Sequence, residues 1–475
     1  MMVDDLGWSD LGCYGSEIET PRLDRLAAAG VRFTQFYNTA KCSESRAALL
    51  SGRYHGDVQR MKLANCWTIA EAVRTAGYFT AMSGKWHLDG EPTERGFDRY
   101  WGHLSGATDF FAGDDTFRLN GEPWNKFDDD FYTTDAAVDF AIDFLGDARD
   151  ANQPWLAYVA FNAPHYPLQA PREDVEKYLD RYEAGYHAIQ DARLAKQKRL
   201  GLVDADLSLP PWPENAKRWP QLYETERFHE TLRMATFAGM VDHVDRAVGR
   251  LVDDLDAHGE LDNTLILFVS DNGGCPFERN MRTDLQPWQA KSHWTYDTRW
   301  AHVSNTPWRE FKRNQHEGGI SSPGIVHWPA GIDTTAHPPG SLVDDVSHLV
   351  DIMPTVLELT GASYPETFNG RTLGPPRGRS LVPTLRGEDA KPRGSLLFEW
   401  AGTHAGLRIG DDKLVSIDRG PWELYDLSTD RQELNDLSDA QPQRRQEMIA
   451  EWTRQARESG YKRKPPKRSK ATATR

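Results

Sequence analysis

The feature that most constrains this chain is a repeated handover from apolar strand to polar cluster. Thr20-Pro21 opens a helix that Ala27 to Gly30 closes, and Val31-Arg32-Phe33 starts a strand running to Tyr37. Trp67 to Thr75 reads as a helix stopped by Gly77, and Tyr78 to Met82 as a strand that ends in a loop at Ser83-Gly84. Trp155 to Phe161 is a buried strand ending at Asn162-Ala163-Pro164-His165. Met240 to Leu255 has apolar residues at helical spacing, and the strand Leu265 to Val269 runs into Ser270-Asp271-Asn272-Gly273. Strands alternating with helices predict a doubly wound, mixed but mostly parallel α/β sheet. In such sheets ligands bind beyond the carboxyl ends of the strands. Asp4-Asp5, Lys85-Trp86-His87, His165 and Asp271-Asn272 all fall there.

Length and composition narrow the class. At 475 residues and 39% hydrophobic, the chain suits one large α/β domain plus a smaller one. We expect a catalytic domain over 1–386, with 171–232 as a helical surface excursion. A small antiparallel-sheet and helix subdomain is expected over 387–462, carrying Leu396 to Glu399 and Lys413 to Val415 as strands and Gln441 to Gly460 as a helix. A disordered basic tail is expected over 463–475. The net charge of −15 argues against nucleic acid. It also means that any anion site must be a local concentration of Lys, Arg, His and metal. Cys13, Cys42, Cys66 and Cys275 lie too far apart for a CxxC metal site and make no disulfide framework. No apolar run is long enough to span a membrane. Met1-Met2-Val3 reads as the tail of a strand whose remainder, with a signal peptide, is expected upstream. As it stands the sequence reads as cytoplasmic; with such a leader it would be periplasmic or secreted.

Three carboxylates and an amide oxygen at strand ends (Asp4, Asp5, Asp271, Asn272) make a hard, all-oxygen set that favours Ca²⁺, or less readily Mg²⁺, over zinc. Asp and Asn are also ordinary turn residues. Cys42 precedes a helix-like stretch, where the helix dipole lowers a thiol pKa and attracts anions. A lone Cys is usually a buried structural residue. Lys85 and His87 share one side of an extended segment, His165 sits in a rigid proline-flanked loop, and Lys312 precedes Glu317-Gly318-Gly319. Near a divalent cation such groups could bind an anion and protonate a leaving group.

Taken in order, these segments resemble the sulfatase family, bacterial arylsulfatases in particular. The family signature is Cys (or Ser)-x-Pro (or Ala)-x-Arg, followed by a Leu-rich helix ending in Thr/Ser-Gly-Arg. It reads here Cys42-Ser-Glu-Ser-Arg46, then Ala-Ala-Leu-Leu-Ser51-Gly52-Arg53. Gly84-Lys85-Trp86-His87 matches the second signature. The early Asp4-Asp5, Ala163-Pro164-His165-Tyr166-Pro167, Asp271-Asn272-Gly273 and the late Trp422-Glu-Leu-Tyr-Asp-Leu also stand in the family order. The resemblance implies an alkaline-phosphatase-like fold and hydrolysis of a sulfate ester, on a small molecule or a carbohydrate. It implies that a formylglycine-generating enzyme oxidises Cys42 to formylglycine, whose hydrate is the nucleophile. Ca²⁺ would be held by Asp4, Asp5, Cys42, Asp271 and Asn272. Arg46 would hold the formylglycine, and Lys85 and Lys312 would bind sulfate. His165, with Lys312, would protonate the leaving alcohol, and His87 would take a proton from the remaining hydroxyl.

Two departures stand out: Glu44 occupies the third signature position, and the first strand is short. They leave two other readings: a phosphonate or phosphodiester hydrolase of the same superfamily, and a binding protein for sulfated glycans whose Cys42 stays a thiol. Trp86, Trp101, Trp294 and Trp300 are candidates for lining a sugar or aryl subsite.

Overall fold

The computed structural model describes residues 1–214, 216–368 and 370–464. Its centre is an 11-stranded sheet. The strands in chain order are β1 (Met2–Val3), β2 (Val31–Tyr37), β3 (Phe79–Gly84), β4 (Arg99–His103), β5 (Phe117–Leu119), β6 (Glu122–Pro123), β7 (Trp155–Ala160), β8 (Ile266–Ser270), β9 (Ser321–His327), β10 (Ser341–Val343) and β11 (Ser347–His348). Across the sheet they run β10-β2-β9-β8-β1-β7-β3-β4-β5-β6, with β11 also on β2. The middle is parallel; β9 is antiparallel to β2 and β8, and β5 and β6 close one edge antiparallel. Ser83 and Gly84, expected in a loop, extend β3 because Gly84 still pairs with Ala160.

Strand alternation divides the core in two. Val3, Ala81, Phe268 and Ile325 face one apolar cluster, which the helices Pro21–Ala29, Thr133–Asp150 and Glu224–Ala257 complete. Met2, Met82, Val269 and Val326 face the other, against Cys42–Ser51, Ile69–Arg74 and Ile352–Thr360. Local signals set the helix ends. Pro21 sits in the first turn, and Thr68 and Glu71 form a capping box ahead of Ile69.

The segment 171–232 carries the helices Arg172–Glu176, Leu179–Tyr182 and Gly185–Arg199 and the start of Glu224–Ala257; residues 203–214 and 216–221 stay at the surface, but the inner face of the helices is buried. Tyr178, Tyr182, Tyr186 and Arg193 are buried, and Tyr182 and Tyr186 pack edge-on against Trp300 at 5.5 and 4.7 Å. Its inner face carries Gln190, Arg193 and Gln197 among the apolar residues, which hides the face from an apolar-period reading. Arg193 is neutralised there by Asp10 at 2.6 Å and Glu17 at 2.8 Å.

Four antiparallel strands, Leu396–Trp400, His404–Ile409, Asp412–Ser416 and Glu423–Asp426, form the smaller sheet. Met448, Trp452 and Ala456 of the helix Pro442–Glu458 cover it. Of the expected tail, Arg463 stacks on Trp422 at 4.1 Å and the Lys464 amide donates to Gly402. Residues 465–475 lie outside the described residues. Among the described residues no helix is long and apolar enough to cross a membrane, and all four cysteines are free.

Candidate active site

Four central strands end level with one another. Met2 pairs with Ala160 and Val269, and Gly84 with Ala160. The segments leaving these strands therefore emerge side by side: Asp4 and Asp5, Lys85, the loop holding His165, and Asp271 with Asn272. Lys312 arrives by another route. It precedes β9, and because β9 is antiparallel its entrance lies where its neighbours exit. Cys42 begins the helix Cys42–Ser51, so its side chain stands at the free N–H groups of a first turn.

Every residue proposed for the site is buried except the half-buried His87. Arg46 donates to Asp4 at 3.3 Å, to Asp271 at 3.0 Å and to the Lys85 carbonyl at 2.8 Å. Lys85 is paired with Asp4 and Lys312 with Asp5. Asn272 donates to Asp5 at 2.6 Å, and the Asp5 amide to Asp271 at 3.3 Å. His165 Nε2 stands 3.6 Å from Asp5 Oδ2. Asp5 and His87 hold left-handed backbone, at φ of 70° and 55°. Such strain in non-glycine residues gathers at functional sites.

Asp4 Oδ1, Asp5 Oδ2 and Asn272 Oδ1 are buried with no hydrogen-bond partner. Each aspartate gives one oxygen to a lysine and keeps the other free. Unpaired buried oxygens are costly, and a cation would satisfy them. Asp4, Asp5 and His165 each offer a ligand atom within 4.8 Å of the others. His165 thus stands beside the two aspartates, within reach of whatever they hold. Burial and the neighbouring Asp4 push Asp271 well above the usual carboxylate range, a repulsion that a divalent cation would relieve. The residues present therefore fit a hard divalent metal.

Three cationic groups face the three carboxylates: Arg46, Lys85 and Lys312 stand against Asp4, Asp5 and Asp271. A divalent ion would leave the pocket positive, as an anionic substrate requires. Burial alone would raise the Cys42 thiol, but the ammonium groups of Lys312, Lys85 and Lys41 outweigh it and bring the thiol below its ordinary range. Burial, reinforced by Lys85, holds the His87 ring neutral. Burial, with Lys85 and Lys312 outweighing Asp4, does the same for His165. Lys312 keeps its proton: Asp5 and Cys42 outweigh its burial.

Sequence reasoning missed several residues here. Lys41 Nζ lies 2.9 Å from Cys42 Sγ; its adjacency to the signature was the available signal. Ser45 donates to the Asp271 carbonyl at 2.6 Å and so ties the Cys42 helix to β8. Gly106 accepts from Lys85 and abuts His87, and nothing in the sequence marks it. Glu317, named beside Lys312, points elsewhere: it pairs with Lys413 at 2.7 Å, beneath the smaller sheet. Trp86, Trp101, Trp294 and Trp300 are packed into the apolar clusters, 0–3% exposed.

Comparison with known proteins identifies the family. A family profile described as Sulfatase matches residues 1–362, and one described as N-sulphoglucosamine sulphohydrolase, C-terminal, matches 308–459. The chain is 33% identical to an uncharacterized sulfatase of Schizosaccharomyces pombe, over 97% of this chain and 93% of that one. It is 29% identical to the arylsulfatase of Klebsiella aerogenes, over 80% and 90%. The solved structure of Ps i-CgsB in complex with k-i-k-neocarrahexaose superposes with a TM-score of 0.69 at 25% identity, covering 98% of this chain and 94% of that one. The chain belongs to the sulfatase family, hydrolases of sulfate esters within the alkaline-phosphatase-like superfamily.

Proposed function

We propose that the chain cleaves its sulfate ester through residue 42 in formylglycine form, beside a Ca²⁺ held by Asp4, Asp5, Asp271, Asn272 and residue 42. One observation carries this reading: the buried, partnerless oxygens of Asp4, Asp5 and Asn272 beside Cys42. Together the two groups supply a hydrated aldehyde as nucleophile and a Lewis acid for the sulfate oxygens.

The chain's own residues do the rest. Arg46 cross-links Asp4, Asp271 and the Lys85 carbonyl and so fixes residue 42 against them. Lys85 and Lys312 bind the sulfate oxygens and offset charge that grows there as the ester bond breaks. His165 donates its Nδ1 proton to the Tyr166 carbonyl at 2.6 Å, which leaves Nε2 a lone pair toward Asp5. The arriving sulfate anion raises the pKa of this ring, so that His165, assisted by Lys312, can protonate the leaving alcohol. His87 is held neutral and acts as the base that takes a proton from residue 42.

Metal binding tests the reading. Purified protein treated with chelator should melt at lower temperature and regain its melting point with added Ca²⁺; at a hundred dissociation constants of ligand the gain is about 2.7 kcal/mol. Asp5→Asn and Asn272→Ala should lose that gain. A melting point unmoved by chelator and Ca²⁺ in the wild type would remove the metal from the account.

A further inference from the structure

A stack of alternating rings and guanidinium groups runs along the rim of the site. It begins at His165, whose ring lies on Tyr166 at 4.1 Å. Arg279 lies over Tyr166 at 5.6 Å and donates to its hydroxyl at 2.8 Å. Arg279 also faces Phe277 at 5.4 Å, and Arg313 covers the same ring at 4.2 Å. Trp400, from the smaller sheet, closes the stack over Arg313 at 4.9 Å. Arg313 is tied to the reaction centre by its backbone: its amide donates to the Ala40 carbonyl at 2.7 Å, and it directly follows Lys312.

Both arginines lack a carboxylate. Among the described residues neither Arg279 nor Arg313 has an acidic partner within ion-pair distance, and Arg313 Nε is buried with no hydrogen-bond partner. The chain carries 71 Asp and Glu against 56 Lys and Arg, so acidic groups are not scarce. Ring stacking orients a guanidinium plane while leaving its edge N–H groups free to donate. An edge of that kind matches the two oxygens of a carboxylate or sulfate. Held rigid by rings beside an anion-binding centre, both side chains are already oriented for a second anion.

We propose that Arg279 and Arg313 receive a second anionic group on the substrate, so that the alcohol part of the sulfate ester itself carries a carboxylate or another sulfate. This inference rests on the sulfate-ester reading of the same site and names its substrate class. The stack is a specificity device; it takes no part in bond cleavage.

The test compares aryl sulfates that differ only in charge. Phenyl sulfates bearing a meta or para carboxylate are measured against the matching carboxamides, with the corresponding benzene disulfates as a second arm. The wild type should favour an anionic member over its neutral counterpart by about tenfold in kcat/KM, expressed in KM. Arg313→Gln and Arg279→Gln should each erase most of that ratio. A side chain that merely packs the rim would leave the ratio where it was. The carboxylate and disulfate arms tell which anion the pair prefers. No preference in the wild type, or a preference kept in both variants, would overturn the inference. If no aryl sulfate is turned over, the parent reading fails instead, and calorimetric titration of the same compounds decides the inference alone. Tighter binding of the anionic members, lost in the variants, keeps it; equal binding sinks it.

Discussion

At the scale of single residues, the site sets its lysines and Arg46 against its carboxylates and leaves oxygens of Asp4, Asp5 and Asn272 and Nδ1 of His87 unclaimed. His87 is the least supported of its groups: its Nδ1 is buried without a partner and its backbone is left-handed. Its ring is positioned by contact with Gly106, where an added Cβ would stand 2.6 Å from Nε2. Gly106→Ala should therefore move the ring while leaving the core intact. We expect kcat to fall by about a hundredfold, the lower end of what a displaced general base costs, with a melting point close to that of the wild type. Full activity in Gly106→Ala would show that His87 is not held by this contact, or that its position does not matter. Much at this scale was legible in the sequence. Asp4, Asp5, Lys85, Asp271 and Asn272 stand directly after strands, His165 in the loop after β7, Cys42 and Arg46 on the helix that follows β2, and Lys312 in the segment leading to β9; the sheet register brings them together. Gly106 was not legible, because its contribution is the absence of a side chain in a loop.

At the scale of elements, the smaller sheet does more than flank the catalytic one. Glu317 sits in the segment that carries Lys312. It is anchored by Lys413 at 2.7 Å, Arg431 at 3.0 Å and the Tyr37 hydroxyl at 2.8 Å. Burial would raise its pKa, but Lys413, Arg431 and Arg408 outweigh it and bring it down to about 2. Lys413 also meets Glu433 at 2.8 Å, and all three side chains are fully buried. Removing one member of such a group strands the others without water. Lys413→Met should cost about 3–5 kcal/mol in urea unfolding and lower kcat by loosening the Lys312 segment. Glu451→Gln, which breaks an exposed pair with Arg454, should stay within about 0.5 kcal/mol of the wild type. Equal stability of the two variants would contradict the anchoring. The elements themselves were readable from apolar periodicity where one face is apolar. The inner face within 171–232 was not readable this way, because Gln190, Arg193 and Gln197 occupy it.

At the scale of the whole molecule, a chain of net charge −15 gathers positive charge in one place. Lys41, Lys85, Lys312 and Arg46 converge on Cys42, brought from distant parts of the sequence to the carboxyl ends of the central strands. That convergence explains how an acidic protein can take an anionic substrate. Composition alone argued only what the surface would repel. The central claim is that residue 42 is the nucleophile in oxidised form, despite Glu44 at the third signature position. The most direct test is mass spectrometry of the tryptic peptide Cys42 to Arg46, from protein made in its native host, with aryl sulfatase activity assayed on the same sample. We expect a peptide about 18 Da lighter than the thiol form, because an aldehyde replaces CH₂SH, in proportion to the activity. An unmodified thiol in protein that still hydrolyses sulfate esters would contradict it.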